Sequence, residues 1–240
     1  MAETMQNNRP GPFFIVTSGR SGSRLLAEIL HRSGVPVLHS GLRDHRGLIY
    51  ESGELNHQHA FIDKLRYDVN FDYSILQNFR AEVSALAEWY QKNLPLGVDR
   101  GPVIKDPRIL HLMPAYRELF PHSRFIHIVR DGRDFAISKN EELQFWKLAP
   151  QEPQALLRLW NARMRLLEPY RGSDWFHELR FEDLLESPQT VLDGVWSFLE
   201  LSAEPVLPPF DHTRKARHRN EDITFRDLEE FEYLKRFNYI

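Results

Sequence analysis

The sequence predicts an α/β protein in which a central, mostly parallel β-sheet is flanked by helices in three layers. Two observations carry this prediction. Short apolar runs alternate with helical patterns along much of the chain, as they do in repeated βα units. The run at 13–16 is also continuously apolar and that at 125–129 nearly so, which is typical of strands buried on both faces of a parallel sheet.

In the first half of the chain, residues 1–11 are polar and predict a flexible tail. An apolar strand at 13–16 is followed by a helix to about Ser33, since Leu25, Leu26, Ile29 and Leu30 recur at helical spacing. A possible second strand covers 35–38, and residues 39–56, rich in Gly, His and charge, are predicted to be a loop over the sheet. Apolar periodicity predicts helices at 54–66 and 78–93.

In the second half, an apolar run ends in charges and a proline, which predicts a strand at 102–105. Alternating apolar runs and helical patterns then predict a helix, a strand and two further helices. A late strand, a helix after Pro188 and a helical end complete the order. In this order, the predicted ranges are a helix at 109–119, a strand at 124–129, helices at 133–145 and 153–168, a strand at 175–179, a helix at 188–199 and the helical end at 226–237.

Composition limits the classes of function. A chain of 240 residues with 42% hydrophobic content predicts one domain with a substantial core, here over 12–240. The net charge of −3 disfavours a general nucleic-acid binder. The absence of cysteine excludes disulfides and thiolate metal sites. No apolar run approaches the ~20 residues of a membrane span, and the first residues lack the apolar core of a signal peptide.

The segment between the first strand and the first helix has the composition of an anion-binding loop. We call residues 17–22 the first loop; it contains Gly19 and Gly22, and the helix begins with Ser23 and Arg24. Glycines let the backbone approach a ligand closely, and free N–H groups with the helix dipole favour negative charge. Hydroxyls from Ser21 and Ser23, with the charges of Arg20 and Arg24, predict a phosphate or sulfate site.

This loop is too short for a Walker A motif, which needs four residues between its glycines and a following Lys-Ser/Thr. It resembles instead the 5′-phosphosulfate-binding loop of sulfotransferases that use 3′-phosphoadenosine-5′-phosphosulfate, PAPS. The resemblance implies that Arg20, Ser21, Gly22, Ser23 and Arg24 bind the cofactor, with Arg20 also catalytic, in a P-loop-like sulfotransferase fold. An ordinary βα turn with a Gly-rich entry is the alternative.

A second motif lies about 110 residues further on, where Arg130 ends an apolar strand and Asp131-Gly132 turns the chain. An arginine at a strand end and a serine eight residues later, Ser138, can meet on one anion. This pair resembles the 3′-phosphate-binding element of the same family. The alternative for Arg130 is an ion pair with Asp131 or Asp134.

Two further segments agree with the resemblance, which spans roughly residues 13–200 and thins beyond them. Lys105-Asp106-Pro107 is similar to a Lys-x-Pro segment of the glycan-acting branch and implies that Lys105 is catalytic. A basic segment, residues 214–219, is similar in place to a loop that covers the 3′-phosphate, so Arg214 or Lys215 is implied there. In 181–188, Glu182 and Asp183 are interpreted as structural, capping the following turn and pairing with Arg180.

An acceptor hydroxyl needs a general base. The candidates are Glu51, Glu54, His39 and His57, of which Glu51 is preferred because glycan-acting relatives use a glutamate from this region. His39 is the alternative if the enzyme follows the histidine-using branch. His57 and His59 suggest a metal pair, but no third ligand is evident and no metal site is predicted.

The leading hypothesis is a PAPS-dependent sulfotransferase acting on a hydroxyl of a carbohydrate, lipid or small metabolite. It is expected to be cytoplasmic, to require no metal, and to bind neither nucleic acid nor a membrane. A P-loop-type small-molecule kinase and a non-catalytic nucleotide-binding module remain the alternatives. The acceptor and the oligomeric state are not predicted.

Overall fold

The computed structural model describes residues 11–44, 47–51, 58–93, 101–145, 152–219 and 222–240. The predicted tail therefore falls, apart from Gly11, outside the described residues. The described strands form one six-stranded sheet in the order β3-β2-β4-β1-β5-β6. Their bounds are β1 (Phe13–Val16), β2 (Val37–Arg43), β3 (Ile49–Glu51), β4 (Val103–Lys105), β5 (Arg124–Val129) and β6 (Phe176–Arg180). Five strands are parallel, and β3 runs antiparallel to β2.

Helices flank this sheet, and short 3-10 turns at 60–62, 65–67 and 73–79 precede the second of them. The described α-helices are α1 (Ser23–Arg32), α2 (Arg80–Asn93), α3 (Ile109–Leu119), α4 (Gly132–Phe145), α5 (Pro153–Leu166), α6 (Phe181–Glu186), α7 (Pro188–Leu199) and α8 (Glu232–Arg236). None of the described helices combines the length and hydrophobicity that crossing a bilayer requires.

Strand β1 shows why the sequence folds into three layers. Its successive side chains point to opposite faces, and all four are buried. Phe13 and Ile15 pack into a core with α1 and α7, whereas Phe14 and Val16 pack into a second core with α2 and α3. Each such side chain stabilises the fold by about 1.5–3 kcal/mol. The predicted α/β class is confirmed.

The position of β1 in the sheet brings three predicted site elements to one edge. It lies between β4 and β5, so the chain leaves β1 toward one side of the sheet and later returns to the other. Crevices at the carboxyl ends of strands form at such a reversal of strand order. The first loop follows β1, Lys105 ends β4 and Arg130 follows β5, so all three lie at this edge.

Three predicted elements differ in part from the structure. The predicted loop at 39–56 contains a hairpin, because β2 continues to Arg43 and pairs with β3. In the predicted helix at 54–66, Gln58 is helical and 3-10 turns follow at 60–62 and 65–67, while residues 52–57 lie outside the described residues. The predicted helical end at 226–237 is divided into a 3-10 turn, Leu228–Glu230, and the short α8, because Phe231 between them has a non-helical ψ of 89°.

Candidate active site

The first loop reverses direction through an uncommon run of backbone conformations. Gly19, Arg20 and Gly22 all have positive φ, at 88°, 57° and 89°. Glycine takes this conformation readily, but for Arg20 it is rare and costs about 1 kcal/mol or more. The fold holds a charged side chain in a strained conformation at a strand end, which is where functional residues concentrate.

Gly22 leads directly into α1, and no side chain among the described residues caps that helix. The first N–H groups of a helix have no partner within it, so this end is suited to an anion. Glycine is also required for space, because a Cβ at Gly22 would lie 2.1 Å from the ring of Phe181. The ring therefore presses the loop backbone into place from α6.

Hydroxyls stabilise the loop from inside. The Thr17 side chain accepts a hydrogen bond from the Gly19 N–H at 3.0 Å and also contacts the Ser21 hydroxyl. Sequence reasoning missed Thr17, although a threonine placed two residues before a turn glycine is a common turn former. The buried Ser21 hydroxyl is thus engaged within the loop itself.

A buried arginine on α5 supports the loop from behind. The Arg163 guanidinium donates to the Ser18 carbonyl at 2.6 Å and to the Arg66 carbonyl at 2.5 Å. It also lies 5.7 Å from the centre of the Tyr67 ring. Arg163 and Ser18 are 145 positions apart, and no local sequence pattern near either residue predicts this hydrogen bond.

The two predicted anion-binding elements contact each other. Arg130 donates to the carbonyl of Arg20 at 3.3 Å, and Arg20 Nε donates to the carbonyl of Ser138 at 3.2 Å. Arg130 and Ser138 are both buried. Strands β1 and β5 are parallel neighbours, so the first loop and the start of α4 must meet at one edge of the sheet.

Arg130 also forms the ion pair that the sequence left open as its alternative. Its guanidinium lies 2.9 Å from the carboxylate of Asp134, one turn into α4. Burial alone would raise the pKa of Asp134, but hydrogen bonds from His218 and the charge of Arg130 lower it to about 2. The pair thus fixes the Arg130 guanidinium beside the first loop.

The basic segment contacts Asp134 and Ser138 through Arg217 and His218. The N–H groups of Arg217 and His218 donate to Asp134 at 3.2 and 2.8 Å, and Arg217 also donates to the Ser138 hydroxyl at 3.4 Å. Lys215 instead pairs with Glu186 at the end of α6. The side chain of Arg214 lies outside what the structure describes.

Lys105 is buried at the end of β4, in register with Ile15 of β1. It belongs to the neighbouring strand of the same sheet. The next residue, Asp106, is held by Arg108 and by His59, whose Nδ1 lies 3.2 Å from the carboxylate. Burial would raise the pKa of Asp106, but His59 and Arg108 lower it to about 2. His59 is thus a partner of Asp106, which explains why it is buried.

The hairpin of β2 and β3 is attached to α1 by charge. Glu28 accepts hydrogen bonds from Arg32 at 2.7 Å and from Arg43 at 2.8 Å, and Arg24 pairs with Asp44 at 3.1 Å. The Arg24 side chain thus contacts the hairpin, while its backbone starts α1. In the β2–β3 register, Glu51 lies opposite His39.

Of the four candidate bases, His39 is the one whose side chain belongs to the described part of the structure. Its Nδ1 accepts the Gly41 N–H at 3.0 Å, so the neutral ring carries its proton on Nε2 and has no lone pair there. Burial, His31 and Arg43 lower its pKa, against a smaller opposing effect of Glu28. The side chain of Glu51, and all of Glu54 and His57, lie outside the described residues.

The predicted interpretation of 181–188 as structural is consistent with the contacts. Asp183 lies 3.6 Å from Arg180, and Glu182 accepts the Asp131 N–H at 3.1 Å. In the portion of the chain that the structure covers, no three His, Asp or Glu side chains are grouped as ligands for a metal ion.

An uncapped helix follows the glycine-rich end of β1, and a second basic element lies at the end of the neighbouring strand β5, an arrangement suited to an anionic ligand. The chain belongs to the sulfotransferase family, whose family model matches residues 12–205. The resemblance inferred from the two motifs is thereby confirmed at the level of the family. A comparison with curated proteins gave no match.

Solved structures show the same fold at low identity. The sulfotransferase domain of the Synechococcus PCC 7002 olefin synthase is 21% identical with a TM-score of 0.62, covering 100% of this chain and 99% of that domain. A sulfotransferase from Alicyclobacillus acidocaldarius is 15% identical with a TM-score of 0.55, covering 95% and 92%. The sulfotransferase domain from the curacin biosynthetic pathway is 21% identical with a TM-score of 0.51, covering 86% and 80%.

Proposed function

We propose that this protein transfers the sulfuryl group of PAPS to an acceptor hydroxyl and releases adenosine 3′,5′-bisphosphate. The observation that carries the proposal is the contact between the two anion-binding elements, from Arg130 to the Arg20 carbonyl and from Arg20 to the Ser138 carbonyl. PAPS carries anionic groups at both ends of one ribose. Two adjacent cationic elements at one sheet edge suit such a ligand better than a single loop does.

The 5′ end is assigned to the first loop. Backbone N–H groups of Ser21, Gly22, Ser23 and Arg24 at the uncapped start of α1 would bind the phosphosulfate oxygens. The positive φ of Gly19 and Gly22 turns the chain so that the helix start faces the strand end.

The 3′ end is assigned to Arg130, Ser138 and the basic segment. Within that segment Arg217 is the strongest candidate, because its side chain already contacts the Ser138 hydroxyl. Asp134 would orient both arginines by accepting from the Arg130 guanidinium and the Arg217 N–H. Arg214 and Lys215 remain proposals for the outer wall of the same site.

The reaction requires charge stabilisation rather than a protein nucleophile. PAPS supplies a sulfuryl group on a phosphate leaving group; the acceptor oxygen forms the new S–O bond as the bond to the 5′-phosphate breaks. Arg20 and Lys105, from neighbouring strand ends, would stabilise the charge on the leaving phosphate and on the sulfuryl oxygens. A carboxylate would take the acceptor proton, and Glu51 is proposed for this role.

The acceptor is proposed to be a hydroxyl of a carbohydrate, lipid or small metabolite. The hairpin of β2 and β3 carries Glu51 and is attached to α1 through Glu28. Residues of this hairpin are therefore the place to seek acceptor specificity.

The first test is nucleotide binding by calorimetry, with adenosine 3′,5′-bisphosphate, 5′-AMP and ATP with magnesium. We expect the bisphosphate to bind most tightly and Arg130→Ala to weaken it roughly 10- to 100-fold, while 5′-AMP binding changes little. The matched control is Arg124→Ala at the opposite end of β5, where the side chain pairs with Glu200. Its affinity for the bisphosphate should equal that of the wild type.

Transfer is tested with radiolabelled PAPS and a panel of hydroxyl acceptors. Arg20→Ala should lower kcat because about 3 kcal/mol of transition-state stabilisation is lost, and it should affect the bisphosphate affinity much less. Tighter calorimetric binding of ATP with magnesium than of the bisphosphate would indicate the alternative function, a P-loop-type small-molecule kinase. Bisphosphate binding without transfer to any acceptor would indicate the non-catalytic module, and either result would overturn the proposal.

A further inference from the structure

The end of the chain contacts the turn that presents Arg130. We call Arg130 to Gly132 the Arg130 turn. The Tyr239 hydroxyl donates to Glu182 Oε2 at 2.9 Å, and Glu182 Oε1 accepts the N–H of Asp131 at 3.1 Å. One buried carboxylate thus joins a residue after α8 to the backbone of the turn.

A second path closes the connection into a ring. The Arg133 guanidinium donates to the Tyr239 carbonyl at 2.7 Å and to the carboxylate of Asp131 at 2.7 and 3.0 Å. Tyr239 therefore reaches Asp131 through both its side chain and its backbone. Glu182 and Arg133 are the two intermediates.

The surroundings leave the turn little freedom. A Cβ at Gly132 would lie 2.5 Å from the Trp160 ring, and that ring in turn lies 6.4 Å from the Tyr239 ring. The Arg180 guanidinium lies 4.7 Å from the centre of the Tyr239 ring and also interacts with the Tyr239 hydroxyl. Glu182 is buried, so bulk water cannot freely replace the hydrogen bond from Tyr239 if that hydroxyl is removed.

We propose that Tyr239 is a positioning residue for nucleotide binding, which holds the Arg130 turn, through Glu182 and Arg133, in the geometry that receives the 3′-phosphate. The inference rests on the proposed function, since it needs a 3′-phosphate at Arg130. Tyr239 itself contacts no ligand. Its effect passes through the backbone of Asp131.

The test compares two tyrosine-to-phenylalanine variants of the full chain. In Tyr239→Phe the hydroxyl bound to Glu182 is removed. Tyr233→Phe is the matched control, because the Tyr233 hydroxyl donates to the carboxylate of Glu168 at 3.1 Å and lies in α8 of the same end of the chain. Both variants lose one phenol–carboxylate hydrogen bond and keep the ring.

Affinities for adenosine 3′,5′-bisphosphate and 5′-AMP are measured by calorimetry, and thermal unfolding is recorded for each variant. We expect Tyr239→Phe to weaken the bisphosphate roughly three- to tenfold and to leave 5′-AMP unchanged. With PAPS as substrate, KM should rise while kcat stays near that of the wild type. Tyr233→Phe should change the melting temperature without changing either affinity.

A double-mutant cycle removes a purely structural explanation. If Tyr239 acts through Glu182, the loss in Glu182→Gln/Tyr239→Phe should be smaller than the sum of the two single losses. Equal bisphosphate affinity in Tyr239→Phe and the wild type, alongside a normal loss in Arg130→Ala, would overturn this inference alone. If the wild type fails to prefer the bisphosphate over 5′-AMP, the proposed function fails first.

Discussion

At the residue scale, the candidate site depends on a few side chains and glycines in strained or crowded positions. Arg20 takes a left-handed φ of 57°, which is strained for a residue with a Cβ. Gly19 and Gly22 also have positive φ, but they have no Cβ and take this conformation readily. Arg130 is paired on one side with Asp134 and lies 5.3 Å from the centre of the Phe181 ring. The same ring touches Gly22, so Phe181 links the two anion-binding elements.

A substitution of Gly22 tests that link. Gly22→Ala places a Cβ 2.1 Å from the Phe181 ring and adds backbone strain at a φ of 89°. We expect bisphosphate affinity to fall more than about tenfold, because ring and loop must both shift. Calorimetry measures the affinity, and chemical denaturation measures the accompanying loss of stability.

Gly34→Ala is the control for backbone strain. Gly34 has a φ of 81°, but a Cβ there meets nothing within 4 Å. Its variant should lose about 1 kcal/mol of unfolding free energy and keep its affinity for the bisphosphate. Equal affinities in the two variants would show that the contact with Phe181 has no part in shaping the loop.

At the scale of elements, buried charge attaches the hairpin of β2 and β3 to α1. Glu28 is fully buried and accepts from Arg32, Arg43 and the N–H of Ile49. The two arginines are only partly covered by the protein, so each can recover some hydration if the carboxylate is lost. Most of the cost of removing Glu28 therefore comes from lost attachment of the hairpin.

Glu28→Ala should lower the unfolding free energy by about 1–3 kcal/mol and raise KM for the acceptor more than KM for PAPS. Arg32→Ala, which leaves Arg43 and Ile49 bound to Glu28, should cost less than about 1 kcal/mol. Denaturant unfolding and initial rates check both values. Wild-type acceptor kinetics in a folded Glu28→Ala protein would exclude the hairpin from the acceptor site.

At the scale of the whole molecule, three carboxylates with low pKa values join distant parts of the fold. Burial alone would raise their pKa values, but basic partners lower each to about 2: His59 and Arg108 for Asp106, His218 and Arg130 for Asp134, and His127 and Arg171 for Glu178. In the unfolded chain such groups titrate near pH 4. The unfolded state therefore binds more protons between about pH 2 and 4.

Stability should consequently be complete above about pH 5 and fall as the pH decreases toward 2, by about 2 kcal/mol for each of these groups. Urea unfolding at a series of pH values measures the slope. Glu178→Gln should flatten it by the share of one group, whereas Glu118→Gln, at an exposed position of α3, should keep the wild-type slope. An acid slope that Glu178→Gln leaves unchanged would contradict the assignment.

The same scale shows how far the sequence predicts the site. The predictions for β5, α3 and α7 agree with the structure because each is a continuous apolar or strongly periodic segment whose local pattern coincides with its burial. The hairpin was missed because residues 40–43 are exposed and contain no apolar run, and their pairing depends on β3 and Glu28. The contact of Arg217 with Ser138 was missed because nothing in a run of basic residues tells which one faces Ser138.

By itself, the sequence determined the α/β class, the order of most strands and helices, and the two anion-binding motifs, because buried strands and glycine-rich turns leave local patterns. Only the tertiary structure decided that Arg130 contacts the first loop, that Arg217 rather than Lys215 reaches Ser138, and that Tyr239 supports the Arg130 turn. These contacts join residues some 80 to 110 positions apart or act through an intermediate residue. Their geometry follows from the parallel pairing of β1 with β5 and from the packing of the chain end, neither of which a local pattern records.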